Sequence, residues 1–192
     1  MHSNKFYFDK IYKRKNFKFE EDSGLVKDIL KLKKSGSVLD LGCGEGGNAL
    51  YLAKKGFCVT CVDISRTAIK KIKERAKKEK IKINTKVADL EFFKITKKYD
   101  IIISTGTFHF LNYQKGIELI KRMKKMTKKQ GVNIIISFTE QDPTFNKKRL
   151  YFRNNQLKEI YSDWKIIKYL KFKEKDEHMV HSLVKIIALN DC

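Results

Sequence analysis

The sequence predicts an α/β fold: a seven-stranded, mostly parallel sheet with helices on both faces and an antiparallel hairpin made by its last two strands. Three observations predict it. Short apolar runs alternate with amphipathic helical patterns through most of the chain, and such alternation favours parallel strands joined by right-handed crossovers. A glycine-rich turn leads from the first apolar run straight into a helical pattern. Two alternating stretches close the chain across the short connection Lys173–Glu177, which makes them hairpin partners.

Taken in order, residues 6–19 mix aromatics with Lys13, Arg14 and Lys15, a pattern that fits either an ordered arm or a tail that contacts nucleic acid. From Glu20 to Lys34, Leu25, Val26, Ile29, Leu30 and Leu32 recur at helical spacing, and Gly36 stops the pattern. Val38–Leu41 is the first strand. The glycine turn follows, then a helix from Asn48 to Lys55 ending at Gly56. Residues 57–63 form the second strand, and Ser65 caps a helix whose inner side is Ala68, Ile69, Ile72 and Ala76. Ile81–Val87 is the third strand. Residues 99–104 form the fourth, continuous and apolar as a strand covered on both faces is. A helix over Lys115–Lys129 precedes the fifth strand at 132–138. A polar, aromatic loop around Pro143, a short helix at Asn155–Tyr161, and strands opening at Trp164 and spanning Val180–Leu189 complete the chain.

The 192 residues suit one domain with a real core. It divides into an N-terminal arm (1–19), a ligand-binding core (20–138), and a substrate-side loop, short helix and closing hairpin (139–192). Hydrophobic residues at 42% and charged residues at 34% describe a soluble globular protein. No apolar run approaches the roughly 20 residues of a membrane span, and the start lacks an apolar signal region, so a cytoplasmic location and no membrane partner are expected. Four cysteines make no disulfide framework in such a chain. Cys58 and Cys61 have CxxC spacing, yet residues three apart on a strand point to opposite faces, and no metal is expected. Against 22 acidic residues stand 43 basic ones, a net charge of +21. That excess would steer nucleic acid or acidic substrates toward the protein. The lysines are spread over every predicted helix, however, so a solvated surface explains the charge equally well.

The turn matches GxGxxG at Gly42, Gly44 and Gly47, which alone is a weak signal for any one cofactor. Its neighbours add to it. Asp40 precedes the glycines, and Asp63 ends the second strand, where an acid can accept both hydroxyls of a ribose. Both acids fall at carboxyl ends of strands, where open α/β sheets bind ligands.

On these residues the sequence resembles the class I S-adenosylmethionine-dependent methyltransferases, whose first motif is an acid followed by x-Gly-x-Gly-x-Gly. Asp40-Leu41-Gly42-Cys43-Gly44-Glu45-Gly46 fits every defined position. The resemblance implies a Rossmann-like class I methyltransferase fold and S-adenosyl-L-methionine as cofactor. Asp40, Gly42, Gly44 and Gly46 would hold its amino-acid end and Asp63, with Ile64, its ribose. Asp89 and Leu90 would face the adenine, and Ser104 and Thr105 would line the cofactor after the fourth strand. Residues 42–53 and the later Tyr151-Phe152-Arg153, Leu157, Tyr161 and Trp164 look most like the tellurite-resistance (TehB) and thiopurine methyltransferase-like branch, made up mostly of small-molecule enzymes. Where that branch often carries arginines on its C-terminal strand, this chain has His178 and His181.

The implied reaction is in-line transfer of a sulfonium methyl group to a small-molecule acceptor. His109, His178 and His181 are the titratable side chains placed to accept a proton, although a histidine at a strand end can equally be satisfied by hydrogen bonds. Phe108, Phe110 and Trp164 read as core. An RNA methyltransferase is the alternative that the charge suggests. The Asn/Asp-Pro-Pro-Tyr/Phe motif of base-amine methylation is absent after the fourth strand, where Ser104-Thr105-Gly106-Thr107 stands, and Thr60-Cys61 lies on the wrong strand for a cytosine nucleophile. Ribose, cap and guanine N7 chemistry stay open. A non-catalytic, cofactor-binding regulatory subunit is the third reading. The sequence leaves the acceptor and the oligomeric state undetermined.

Overall fold

Buried β-branched and aliphatic runs build the strands, and amphipathic stripes build the helices. The computed structural model describes residues 3–13 and 24–191, with the side chains of residues 5–13 and 24–191. Seven strands form a mixed sheet, and the chain divides into two compact units, residues 1–93 and 94–192. Among the described residues no helix is long and apolar enough to cross a membrane.

The first unit holds α1 (Ser3–Lys13), α2 (Gly24–Leu32), β1 (Ser37–Leu41), α3 (Gly47–Lys54), β2 (Cys58–Asp63), α4 (Arg66–Lys78) and β3 (Asn84–Val87). Its strands lie in the order β3-β2-β1, all parallel, with Asp40 in register with Cys61 and Asp63 with Val87. α3 and α4 pack against β2. Val38, Leu39, Leu41, Leu52, Val62 and Ile72 are fully buried among them. Each such side chain contributes about 1.5–3 kcal/mol relative to exposure. Cys58 is exposed and Cys61 buried, as opposite faces of a strand require. The part of the expected arm at residues 3–13 is helical; residues 14–19, and the start of the expected helix at 20–23, lie outside the described residues.

The second unit holds β4 (Tyr99–Thr105), a single 3-10 turn (Phe108–Phe110), α5 (Tyr113–Lys125), β5 (Thr127–Phe138), α6 (Gln156–Ile160), β6 (Lys165–Lys175) and β7 (Val180–Leu189). Its strand order is β4-β5-β7-β6; β4 and β5 are parallel, and β7 runs antiparallel to both neighbours. The closing hairpin is therefore present. α5 ends at Lys125, short of the expected Lys129, and β5 begins at Thr127. The buried Thr127 hydroxyl lies 2.7 Å from the Met123 carbonyl and 2.7 Å from Asn133 Oδ1. Those partners turn the chain where the lysines alone would have continued a helix. Buried Asn133 donates through Nδ2 to the Tyr161 hydroxyl at 3.0 Å, and Tyr161 packs edge-on to Trp164. Trp164 and Phe108 are core residues, as their types suggest.

Candidate functional site

In the first unit, β1 carries Asp40 into the interior beside its apolar neighbours, 2% exposed. Its Oδ1 has no hydrogen-bond partner among the described residues. Burial, and then the charge of Asp63, push its pKa up to about 7. A buried carboxyl left half-satisfied is unfavourable unless a donor, best a cationic one, comes to it.

The turn after β1 has φ of 76° at Gly42, 53° at Gly44 and 80° at Gly46, values that residues with a Cβ rarely adopt. Gly42 and Cys43 donate their N–H groups to the Val62 carbonyl at 2.8 and 3.2 Å. Asp63, at the end of β2, accepts from the Gly44 N–H through Oδ2 and from the Ser65 N–H through Oδ1, both at 2.8 Å. An ionised carboxylate has about four lone-pair sites, so acceptor capacity remains for a hydroxyl donor. Burial raises the Asp63 pKa, and the backbone N–H groups of Ser65, Gly44 and Ile64 oppose that rise. Glu45 in the turn pairs with Lys71 of α4, and Ile64 is half-buried beside Asp63. At the end of β3 the Ala88 N–H donates to the Asp63 carbonyl at 2.9 Å, which sets Asp89 and buried Leu90 next in line. Asp89 accepts from the Glu91 N–H at 3.0 Å. One end of this unit's strands thus gathers a buried acid with an unpartnered oxygen, a glycine-rich turn and a second acid with spare acceptor capacity. That set fits a ligand with an ammonium group and a ribose, as S-adenosylmethionine has.

In the second unit, Ser104 is buried and Thr105 half-buried at the carboxyl end of β4, and the following Gly106 donates to the Ile136 carbonyl at 2.9 Å. His109, 7% exposed, stacks flat on Phe138 at 4.0 Å, and the His181 ring also stacks on Phe138, at 4.5 Å. The two histidines are in opposite states. Burial drives the His109 pKa down to about 3, so its imidazole is neutral, and its Nδ1 has no partner among the described residues. Burial alone would lower His181 too, but Asp176 and Asp142 outweigh it and raise it. Nδ1 of His181 sits 3.0 Å from Asp142 Oδ2, and Nε2 sits 3.1 Å from Asp176 Oδ2. The buried Asp142 also accepts from the Ser182 N–H and from Thr144. Asp176 also accepts from the backbone N–H groups of His178 and Met179. The His178 side chain is exposed on the hairpin turn.

Nothing in the spacing of the sequence singles out Asp142, Asp176 or Phe138. Asp142-Pro143-Thr144 and Asp176-x-His178 are both turn-forming patterns in which an aspartate bonds its own backbone two residues on, and that local signal was available. Their meeting at His181 was not, because it depends on the pairing of β7 with both β5 and β6.

The family model described as "Tellurite resistance protein TehB" matches residues 3–181. The chain belongs to the TehB family. This family is a branch of the class I S-adenosylmethionine-dependent methyltransferases. The probable S-adenosyl-L-methionine-dependent methyltransferase TehB of Haemophilus influenzae Rd is 38% identical over 148 residues, covering 76% of this chain and 52% of that protein. The TehB of strain 10810 is 36% identical over 160 residues, covering 82% and 56%. The crystal structure of TehB from Haemophilus influenzae superposes with a TM-score of 0.81 at 31% identity, over 97% of this chain and 66% of that one. The chain spans about half the length of the curated TehB relatives it matches. Magnesium protoporphyrin IX methyltransferase from Synechocystis, solved with bound S-adenosylmethionine, shares the fold at 15% identity, with a TM-score of 0.64 over 96% of this chain and 79% of that one. The Rossmann-like class I methyltransferase fold expected from the sequence is the fold of this TehB-family chain.

Proposed function

We propose that this chain transfers the methyl group of S-adenosyl-L-methionine, by in-line displacement, to a small-molecule acceptor whose nucleophile arrives already ionised, as a thiolate or an oxyanion. The state of the two stacked histidines carries this reading. A general base for an alcohol or amine needs a free nitrogen with a pKa near neutrality. Both nitrogens of His181 are engaged by carboxylates, and the open nitrogen of His109 belongs to a ring whose pKa is about 3. His109 is thereby suited to orient a donor rather than to remove a proton, and an ionised acceptor needs no proton removed.

Asp40, Gly42, Gly44, Gly46, Asp63, Ile64, Asp89, Leu90, Ser104 and Thr105 are the proposed cofactor-binding residues. The cofactor supplies a methyl group that is electrophilic from the outset, so the work left to the protein is positioning. Asp40 meets the ammonium of the cofactor's amino-acid end, and Asp63 the ribose hydroxyls. Because Asp40 has a pKa of about 7 in the free protein and is ionised when paired, binding expels a proton. Affinity is therefore expected to rise as pH climbs through 7 and to fall below it. Calorimetry near pH 7 in two buffers of different ionisation enthalpy checks this; equal heats in both would show that Asp40 does not change state.

His181 acts in this proposal by holding the loop at Asp142 to the hairpin at Asp176. His181→Ala is expected to lower turnover by about 10- to 100-fold, the scale of a misplaced reacting group, while cofactor affinity changes by less than about twofold. Unchanged turnover on an identified acceptor removes this role, as does an equal loss of cofactor affinity. The acceptor class is tested by S-adenosylhomocysteine release with thiols, selenite or tellurite, small acids and RNA. Turnover with a small soft nucleophile supports the proposal. Turnover with RNA alone, falling steeply with salt, gives the +21 charge a function and overturns it. Cofactor binding with no turnover on any of them favours the regulatory-subunit reading.

A further inference from the structure

We propose that Asp9 is a positioning residue for the cofactor: it latches α1 onto the start of α4, so that Tyr12 closes over the glycine turn, and occupancy of the cofactor site and closure of the latch favour one another. This rests on the assignment of the glycine turn and Asp63 to the cofactor.

The latch is a chain of hydrogen bonds that runs out from the site. Asp63 holds the Gly44 N–H with one oxygen and the Ser65 N–H with the other. Ser65 caps α4 by accepting from the Ala68 N–H at 3.1 Å, and its hydroxyl donates to Asp9 Oδ1 at 2.6 Å. The same Asp9 oxygen accepts the Thr67 N–H at 3.0 Å. A helix start leaves several N–H groups unsatisfied and carries partial positive charge. α4 thus takes one cap from its own N-cap residue and a second, anionic one from a residue 56 positions away. Burial works to raise the Asp9 pKa, but the Ser65 and Thr67 bonds outweigh it and lower it, so Asp9 is ionised.

Tyr12 is three residues further along, on the same face of α1. It is 6% exposed and stacked on Phe8. Burial, followed by the charges of Asp63, Cys43 and Glu45, raises the phenol far above its ordinary range, so the phenol lies within electrostatic reach of the turn. Elsewhere on α1, Phe8 and Ile11 are half-buried. Among its described side chains Tyr12 alone is buried, while Phe6 is 68% and Tyr7 54% exposed. A helix docked through one buried ring and one capping carboxylate has low local stability. A ligand that touches the docked form shifts that equilibrium, and the apparent affinity carries the docking equilibrium with it.

The experiment is hydrogen exchange across residues 3–13 of the whole protein, with and without saturating S-adenosylhomocysteine, paired with calorimetry of the same ligand. In wild type the ligand is expected to slow exchange in α1 by about tenfold or more. Asp9→Ala is expected to lose that protection and to bind S-adenosylhomocysteine about tenfold more weakly. Asp9→Asn keeps an oxygen able to accept from both Ser65 and Thr67, and is expected to restore both readouts. Tight binding with α1 exchange unchanged overturns the latch and leaves the site assignment standing. So does an Asp9→Ala variant that binds and protects like wild type. Wild-type-like binding by Asp63→Asn instead overturns the site assignment on which the latch rests. If Asp9→Ala does not fold, the wild-type exchange comparison decides alone.

Discussion

Asp63→Ala is expected to weaken binding of S-adenosylmethionine by about 10²- to 10³-fold, the largest loss that a single side chain of the first unit should produce. Two losses add. The first is direct: a carboxylate with spare acceptor capacity no longer meets the ribose hydroxyls, and hydrogen bonds to a charged group contribute about 1.5–3 kcal/mol each. The second is local, because the Gly44 and Ser65 N–H groups lose their acceptor and the turn loses its tie to the end of β2. Asp63→Asn separates them in part. Its amide oxygen can still accept one backbone N–H, but its NH2 group opposes the other donor. Asn is therefore expected to bind better than Ala and worse than wild type, with less loss of thermal stability than Ala. Calorimetry with each variant measures this. A variant that binds the cofactor as wild type does would show that Asp63 serves only the backbone.

Much of the fold was legible because its signals are local. β2 and β4 are short apolar runs, and α4 shows its inner stripe of Ala68, Ile69, Ile72 and Ala76, all buried as expected. Boundaries were harder where a distant partner decides them. At the end of α5 the lysine run is helical by composition, yet the Thr127 hydroxyl and the buried Asn133 draw the chain into β5 at once. Gly131 lies inside β5 rather than at the helix end, and an added Cβ there would sit 2.6 Å from Thr127 Cγ2 and 2.7 Å from the Lys128 carbonyl. The third strand shrinks from the expected Ile81–Val87 to Asn84–Val87, which pairs with β2 over Thr60–Asp63.

The same division runs through the candidate site. Asp40 and the glycines are contiguous, and Asp63 follows at the end of the next strand, so their grouping was readable from spacing. The aspartates around His181 were not, because Asp142 lies 39 residues before it and Asp176 five residues before it, across a hairpin turn. Nor does an imidazole announce its proton affinity. His109 and His181 share one flanking ring, Phe138, yet move in opposite directions, because one is surrounded by apolar atoms and the other by carboxylates.

Gly46→Ala is expected to destabilise the protein by about 2–5 kcal/mol, a fall in melting temperature of roughly 5–20 °C. The backbone contributes part of this, since φ is 80° at Gly46 and a left-handed conformation costs a residue with a Cβ about 1–2 kcal/mol. Packing contributes the rest. The new methyl would stand 2.8 Å from Ile72 Cγ1 and 3.0 Å from its Cδ1, and Ile72 is fully buried on α4 with no room to yield. Gly56→Ala is the control, because Gly56 has φ of 90° and nothing within 4 Å of the added carbon. It should show the backbone cost alone. The difference between the two variants isolates the contact with Ile72, and Gly46→Ala combined with Ile72→Ala should recover part of it, as neighbouring sites that share a clash do not add. Equal melting temperatures for Gly46→Ala and Gly56→Ala would remove the packing argument. Gly46 also sets the angle at which α3 leaves the turn, and the adjacent Glu45 is paired with Lys71 on the same helix as Ile72. A methyl that pushes α4 away therefore displaces Gly44 from Asp63 as well. Gly46→Ala should lose cofactor affinity along with stability, whereas Gly56→Ala, at the far end of α3, should keep it.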